Sequence, residues 1–268
     1  MPSTSFVILS ASTEPSAVII YFWTIVFGLV VGSFLNVCIH RLPAGKSLVW
    51  PGSHCPNCMH NLMWRDLVPV FSYVFLGGRC RYCREAISPR YPLVEMGNAV
   101  IWCLAVDMSG SIQSVVLTQL FFSALLTLSM IDLSEMIIPD VINLIIIALG
   151  IARQVTADES GLLNGLQGAV LGGGSLLLIS LLSLWIWRRE GIGGGDVKMM
   201  TVCGFWLGWR NTAVALCLSP YLALTGVAVW RLAGRALPKD RRVPFGPALS
   251  LACLLAAVWG EAITAFLL

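Results

Sequence analysis

This chain has little charge. Asp, Glu, Lys and Arg make up 12% of its 268 residues, 57% are hydrophobic, and mean hydropathy is +0.82. So few polar groups cannot cover a soluble domain of this size, and a polytopic membrane protein is expected. A net charge of +3 is too small to point to nucleic acid as a partner. Histidine is scarce too: only His40, His54 and His60 occur. They lie away from any plausible serine triad, and no H-E-x-x-H pair exists, which leaves neither serine–histidine nor zincin-type hydrolysis with its residues. No alternating barrel pattern is visible, so the spans are expected to be helices, whose backbone satisfies itself inside lipid. The stretch Met1 to Ala17 has no basic start, and a cleavable signal peptide is not expected there.

What is present is a series of apolar runs. Eight spans are expected, near Ala17–Ile39, Leu93–Val106, Ser114–Ile131, Val141–Ala152, Leu163–Trp187, Val197–Trp209, Thr212–Trp230 and Phe245–Leu268. The second, fourth and sixth are short. Of the 17 basic residues, all but Arg153 and Arg210 fall in connections after spans one, three, five and seven, among them Arg188, Arg189, Arg235, Lys239, Arg241 and Arg242. The positive-inside rule then puts the N-terminus outside and those connections in the cytoplasm. The expected organisation is an N-terminal segment with the first helix over 1–39, a cytoplasmic loop domain over 40–92, and a seven-helix membrane domain over 93–268.

The few acids stand at the ends of spans. Gly191-Ile192-Gly193-Gly194-Gly195-Asp196-Val197-Lys198 places a carboxylate behind a glycine run at the mouth of an apolar segment, and Asp132 closes another such segment. A carboxylate at a membrane edge is costly and marks function by default. Two carboxylates sharing one site do not both ionise readily, so one takes a proton from an attacking water while the other donates to the carbonyl oxygen. Asp132 and Asp196 are therefore read as an aspartic peptidase dyad. Asp140, after Pro139 and before a helix, is read as an N-cap, and Glu135 as a solvated residue. Glu95, one turn inside the second span, is either half of a salt bridge or part of the cleft. Ser33 and Asn36, late in the first span, either bond between helices or line the cleft. The Gly168–Gly174 stretch is read as close helix packing.

Of nine cysteines, five lie singly in apolar runs. Cys55, Cys58, Cys80 and Cys83 form two Cys-x2-Cys turns, the spacing of a four-sulfur Zn2+ site with no open position, hence structural. Thiol redox is the alternative. His54 and His60 beside the first turn are read as surface residues.

In order along the chain stand Gly32-Ser33-Phe34-Leu35-Asn36 with His40-Arg41-Leu42-Pro43, the two cysteine turns, and Ser88-Pro89-Arg90-Tyr91-Pro92 with Glu95. Asp132 with Ile138-Pro139-Asp140, Gly193-Gly194-Gly195-Asp196 with Lys198, and Pro244-Phe245-Gly246-Pro247 follow. This ordered set resembles the type IV prepilin peptidase family, GxGD-type aspartic membrane peptidases of bacterial type IV pilus and type II secretion systems. The resemblance implies that Asp132 and Asp196 are catalytic and that the substrate is a prepilin or pseudopilin with a basic leader, cut on the cytoplasmic side of the bacterial inner membrane. It also implies N-methylation of the new terminus with S-adenosylmethionine. No Rossmann-type signature is present, so the methyl-donor site is carried by resemblance alone, with Gly32–Pro92 as its region and Glu95 a candidate. The basic loops would meet anionic lipid headgroups, and the acids around the dyad would attract a basic leader. Two rival readings are a presenilin-like intramembrane protease and a proton-coupled transporter.

Overall fold

The computed structural model describes residues 15–108, 110–155, 161–188, 191–232, 234 and 243–267. The expected basic residues Arg189, Arg235, Lys239, Arg241 and Arg242 lie outside them. Among the described residues eight α-helices carry the fold: α1 (Pro15–Arg41), α2 (Phe71–Phe75), α3 (Arg90–Met108), α4 (Ile112–Glu135), α5 (Asp140–Val155), α6 (Gly161–Trp187), α7 (Gly194–Leu232) and α8 (Gly246–Leu267). A 3-10 turn covers Trp64–Asp66. Among the described residues no strand forms beyond two isolated bridges. Five helices among the described residues, α1, α4, α6, α7 and α8, are long and apolar enough to cross a membrane. The 39-residue α7 holds two of the expected spans, because Gly208 (φ 75°, ψ 167°) breaks the helix between them. With that break, and with the shorter α3 and α5, the architecture is the all-α, roughly eight-helix membrane protein expected.

The chain divides into two compact units, Met1–Ser123 and Ala124–Leu268. In the first, α1 and α3 touch backbone to backbone. A Cβ on Gly28 would lie 2.7 Å from Ala99 Cα, and one on Gly32 would lie 2.7 Å from Glu95 Cα. Two glycines four apart clear one stripe of the helix, which is how membrane helices approach without a hydrophobic drive between them. Polar groups finish the contact. Asn98 Nδ2 donates to Gly28 O (2.8 Å) and Asn36 Nδ2 to Tyr91 O (3.1 Å). Ser123 donates to Asn98 Oδ1, and Trp102 Nε1 donates to Ser123, both at 2.8 Å. Asn36 therefore bonds between helices. Pro43 follows the end of α1 by two residues, and Pro92 sits in the first turn of α3, where a missing N–H costs nothing.

In the second unit, α6 lies against α7 through Gly165, Gly168 and Gly172. A Cβ on Gly168 would overlap the Gly204 carbonyl oxygen, one on Gly204 would overlap that of Gly168, and one on Gly172 would lie 2.6 Å from Met200 O. Gly174, which ends the glycine run, faces open space. At the break in α7, Asn164 accepts the Trp209 N–H (3.2 Å) and Thr212 donates to Gly208 O (2.7 Å), so the turn is held by both helices. On α8, Ala248, Ala252 and Ala256 line one buried face, and Cys253 meets Met200 at 3.9 Å.

Candidate active site and metal centre

Asp132 is buried because it continues the buried face of α4. Leu125, Leu128 and Ile131 precede it at helical spacing and are at most 1% exposed, and Asp132 itself is 6% exposed. One turn later α4 ends at Glu135. Met136 takes a left-handed conformation (φ 54°), its N–H returning to Asp132 O at 3.0 Å. A non-glycine residue pays roughly 1–2 kcal/mol for that conformation, and here it turns the chain into Ile137-Ile138-Pro139. The Asp132 side chain is fixed from α8: the Gly246 N–H, at the start of that helix, donates to Oδ2 at 2.8 Å.

Asp196 is the third residue of α7. Its N–H and that of Val197 return to Gly193 O at 3.1 and 3.4 Å. The glycines before it serve different ends. A Cβ on Gly195 would lie 3.2 Å from Ile138 Cβ, so its bareness lets the loop after Asp132 close onto the start of α7. Gly194 faces open space. Asp132 and Asp196 thus line one cleft of about 340 Å³, together with Met136, Ile138, Gly193 and Gly195. Lys198, two residues on, donates to both oxygens of Asp140 at 3.0 and 3.1 Å. Asp140 is therefore the first residue of α5 with its carboxylate turned to Lys198, not the N-cap expected from Pro139. Glu135 is exposed, as expected.

Glu95 is 7% exposed on α3. Neither expected role, salt bridge or cleft acid, describes its bonding. Its Oε2 accepts the Val70 N–H at 2.8 Å, and the Ser33 hydroxyl bonds it from α1. Ser33 and Asn36 therefore act between helices. Val70 sits at φ 62°, an outlier for a β-branched residue, and the buried carboxylate holds it there.

The four cysteine sulfurs lie within 4.8 Å of one another, with Cys55 Sγ and Cys83 Sγ at 3.8 Å. Zinc–sulfur bonds of about 2.3 Å set the edge of a tetrahedron at about 3.8 Å, so the sulfurs fit that ion. The two turns match at an offset of 25 residues. Met59 N–H returns to Cys55 O and Arg84 N–H to Cys80 O, while Cys55 N–H reaches His60 O and Cys80 N–H reaches Glu85 O. Met59 and Arg84 are both left-handed (φ 56° and 63°), and both turns close on an isolated bridge. The Cys58 N–H directed at Cys55 is the main reason the Cys55 thiol is drawn down to about 7, with burial opposing. Between the turns stands Asp66, whose side chain is 3% exposed. It accepts from Arg81 Nε (2.6 Å), Tyr82 OH and the Met63 N–H (both 3.1 Å). His60 stacks on Tyr82 with centroids 3.7 Å apart, and His54 bonds Gly52 O, so neither histidine is a ligand.

Residues 26–108 match the family model described as the bacterial peptidase A24 N-terminal domain, and residues 119–229 match the type IV leader peptidase family. A protein of Pseudomonas aeruginosa named prepilin leader peptidase/N-methyltransferase is 35% identical over 265 residues, covering 90% of this chain and 91% of the relative. The chain belongs to the type IV leader peptidase family. Two further members with the same name, from Pseudomonas putida and Aeromonas hydrophila, are 36% and 34% identical, covering 91% and 89% of this chain and 93% and 90% of their own. No solved structure matches the chain. The N-terminal family model takes in the cysteine turns and Glu95, and the second takes in both aspartates. Sequence reasoning missed two parts of this family member's site. Gly246 stood out only as part of the Pro244–Pro247 motif, although the first N–H groups of a helix have no partner within it and are free to donate. Asp66 gave no signal beyond being an acid in a basic loop.

Proposed function

We propose that this protein is an aspartic endopeptidase of the bacterial inner membrane that removes the leader of type IV prepilins or pseudopilins, with Asp132 and Asp196 as its catalytic pair. The observation that carries the reading is the single cleft lined by both carboxylates, with Ile138 seated on Gly195 to bring their segments together. In that cleft one carboxylate removes a proton from water as the water attacks the scissile carbonyl, and the other, protonated, donates to the carbonyl oxygen. Gly246 positions Asp132 for this by occupying Oδ2. The N-terminus lies outside and the cleft faces the cytoplasm, a reading supported by the basic residues of the connections. Residues 1–39 form the N-terminal segment and first helix, 40–92 the zinc-binding domain, and 93–268 the peptidase domain. Zn2+ held by Cys55, Cys58, Cys80 and Cys83 would supply a cross-link between the two turns, since four thiolates leave no position for substrate.

The relatives' names support a second activity, methylation of the new N-terminus, with S-adenosylmethionine as donor. Glu95, buried and bonded to Val70 and Ser33, does not fit as a free carboxylate for that cofactor. Its contribution is to fix Val70 at the base of the loop, within the Gly32–Pro92 region proposed for the donor. The deciding experiment is mass spectrometry of a purified prepilin incubated with the protein and S-adenosylmethionine, reading leader loss and methyl addition separately. An uncut prepilin would overturn the peptidase assignment, and a cut but unmethylated one would overturn the second activity alone.

A further inference from the structure

Between the cysteine turns the chain displays large apolar side chains to the outside. Trp64 is 82% exposed, and on α2 Phe71, Val74 and Phe75 are 58%, 66% and 84% exposed. Positions 71, 74 and 75 share one helix face. The other side chains of α2 turn away: Ser72 donates to Val68 O, and the Tyr73 ring covers Gly78. The face is not loosely hung. Val70, which starts α2, is held at φ 62° by the buried Glu95 of α3, so a strained residue and a buried carboxylate together fix these rings outward. A patch of this kind in water costs free energy and marks a contact surface.

Charge decides the occupant. Residues 41–92 carry Arg41, Lys46, Arg65, Arg79, Arg81, Arg84 and Arg90 against two acids, Asp66, which Arg81 engages, and Glu85. Arg65 and Arg79 border the patch in sequence and are exposed. The segment is joined at both ends to helices of the membrane bundle, α1 ending at Arg41 and α3 beginning at Arg90. We propose that Trp64 and the Phe71–Val74–Phe75 face of α2 seat this loop in the headgroup–acyl boundary of an anionic bilayer. Aromatic rings favour that depth, and each basic residue near an anionic surface adds attraction.

The test uses the full chain in nanodiscs, with Phe75→p-benzoylphenylalanine as the photoreactive probe and Trp64→p-benzoylphenylalanine as a second, independent position. Irradiation is expected to give a phospholipid adduct at both positions, with a higher yield in discs containing phosphatidylglycerol than in phosphatidylcholine alone. Arg65→Gln with Arg79→Gln is expected to bring the first yield down to the second. Adducts to another segment of the same chain or to a second copy, or no adduct at either position, would overturn the proposal.

Discussion

Replacing Gly246 by alanine tests whether the start of α8 positions Asp132, the acid proposed to be catalytic. The new methyl would lie 2.8 Å from Asp132 Oδ2, 2.9 Å from Cγ and 3.0 Å from Cβ, closer than real Cβ contacts come. Gly246 does not need a left-handed backbone, so alanine fits the chain there and fails only against the carboxylate. Asp132 must move and lose the N–H at 2.8 Å. A hydrogen bond to a charged group is worth about 1.5–3 kcal/mol. If it acts fully in the transition state, kcat falls roughly 10- to 150-fold at 1.36 kcal/mol per decade. The assay is the rate of leader removal from a purified prepilin by the full chain in nanodiscs, at saturating and limiting substrate. KM is expected to change little, because Gly246 is not among the residues that line the cleft. Gly226→Ala, which meets nothing within 4 Å on the second arm of α7, is the comparison for helix substitution as such. A Gly246→Ala protein that folds and cuts at the wild-type rate would show that Asp132 needs no support from α8.

Asp132→Asn and Asp196→Asn should each leave the protein folded in membranes and abolish leader removal, and normal cleavage by either variant would end the dyad assignment. Purified protein should carry one zinc per chain by elemental analysis, and Cys58→Ser should lose it, whereas metal-free protein with intact thiols would favour thiol redox. Gly168→Ala forces a methyl into the Gly204 backbone and should lower stability by about 1–3 kcal/mol or more, read as a drop in thermal midpoint without any change in the cleft residues. Burial alone would raise the Asp66 carboxyl, but Arg81, the Met63 N–H and Tyr82 overcome it and hold the group below its ordinary value. Its contribution to the loop is therefore full above the unfolded carboxyl value of about 3.9 and is lost as pH falls through the lower folded value. Asp66→Asn should remove that acid limb from a titration of loop unfolding followed by hydrogen exchange.

Most helices were legible because length and apolarity suffice for them. Their ends were less so: α3 begins three residues before the expected Leu93, since Arg90 and Tyr91 are polar enough to leave a hydropathy window yet still wind as helix. The expected gap between the sixth and seventh spans shrank to one residue, because Gly208 alone leaves helical dihedrals and hydropathy has no term for a dihedral angle. The dyad residues stood out through the cost of a carboxylate beside lipid, which sequence does record. Their supports did not. Gly246 acts through a main-chain N–H, Ile138 through shape and Met136 through a left-handed conformation, and at the cysteine turns Met59 and Arg84 are left-handed in the same way, which their side chains do not advertise. Asp140 was assigned by its neighbours Pro139 and the following helix, and the distant Lys198 took it instead.

The grip of Gly246 on Asp132 joins two points 114 positions apart, and the ribosome delivers them in that order. A chain lacking α8 would carry both acids, but Asp132 would be without the N–H that meets its Oδ2. The local order of one acid is thus tied to a helix far along the sequence, and damage to α8 is expected to be felt at Asp132 even where the cleft residues are unchanged.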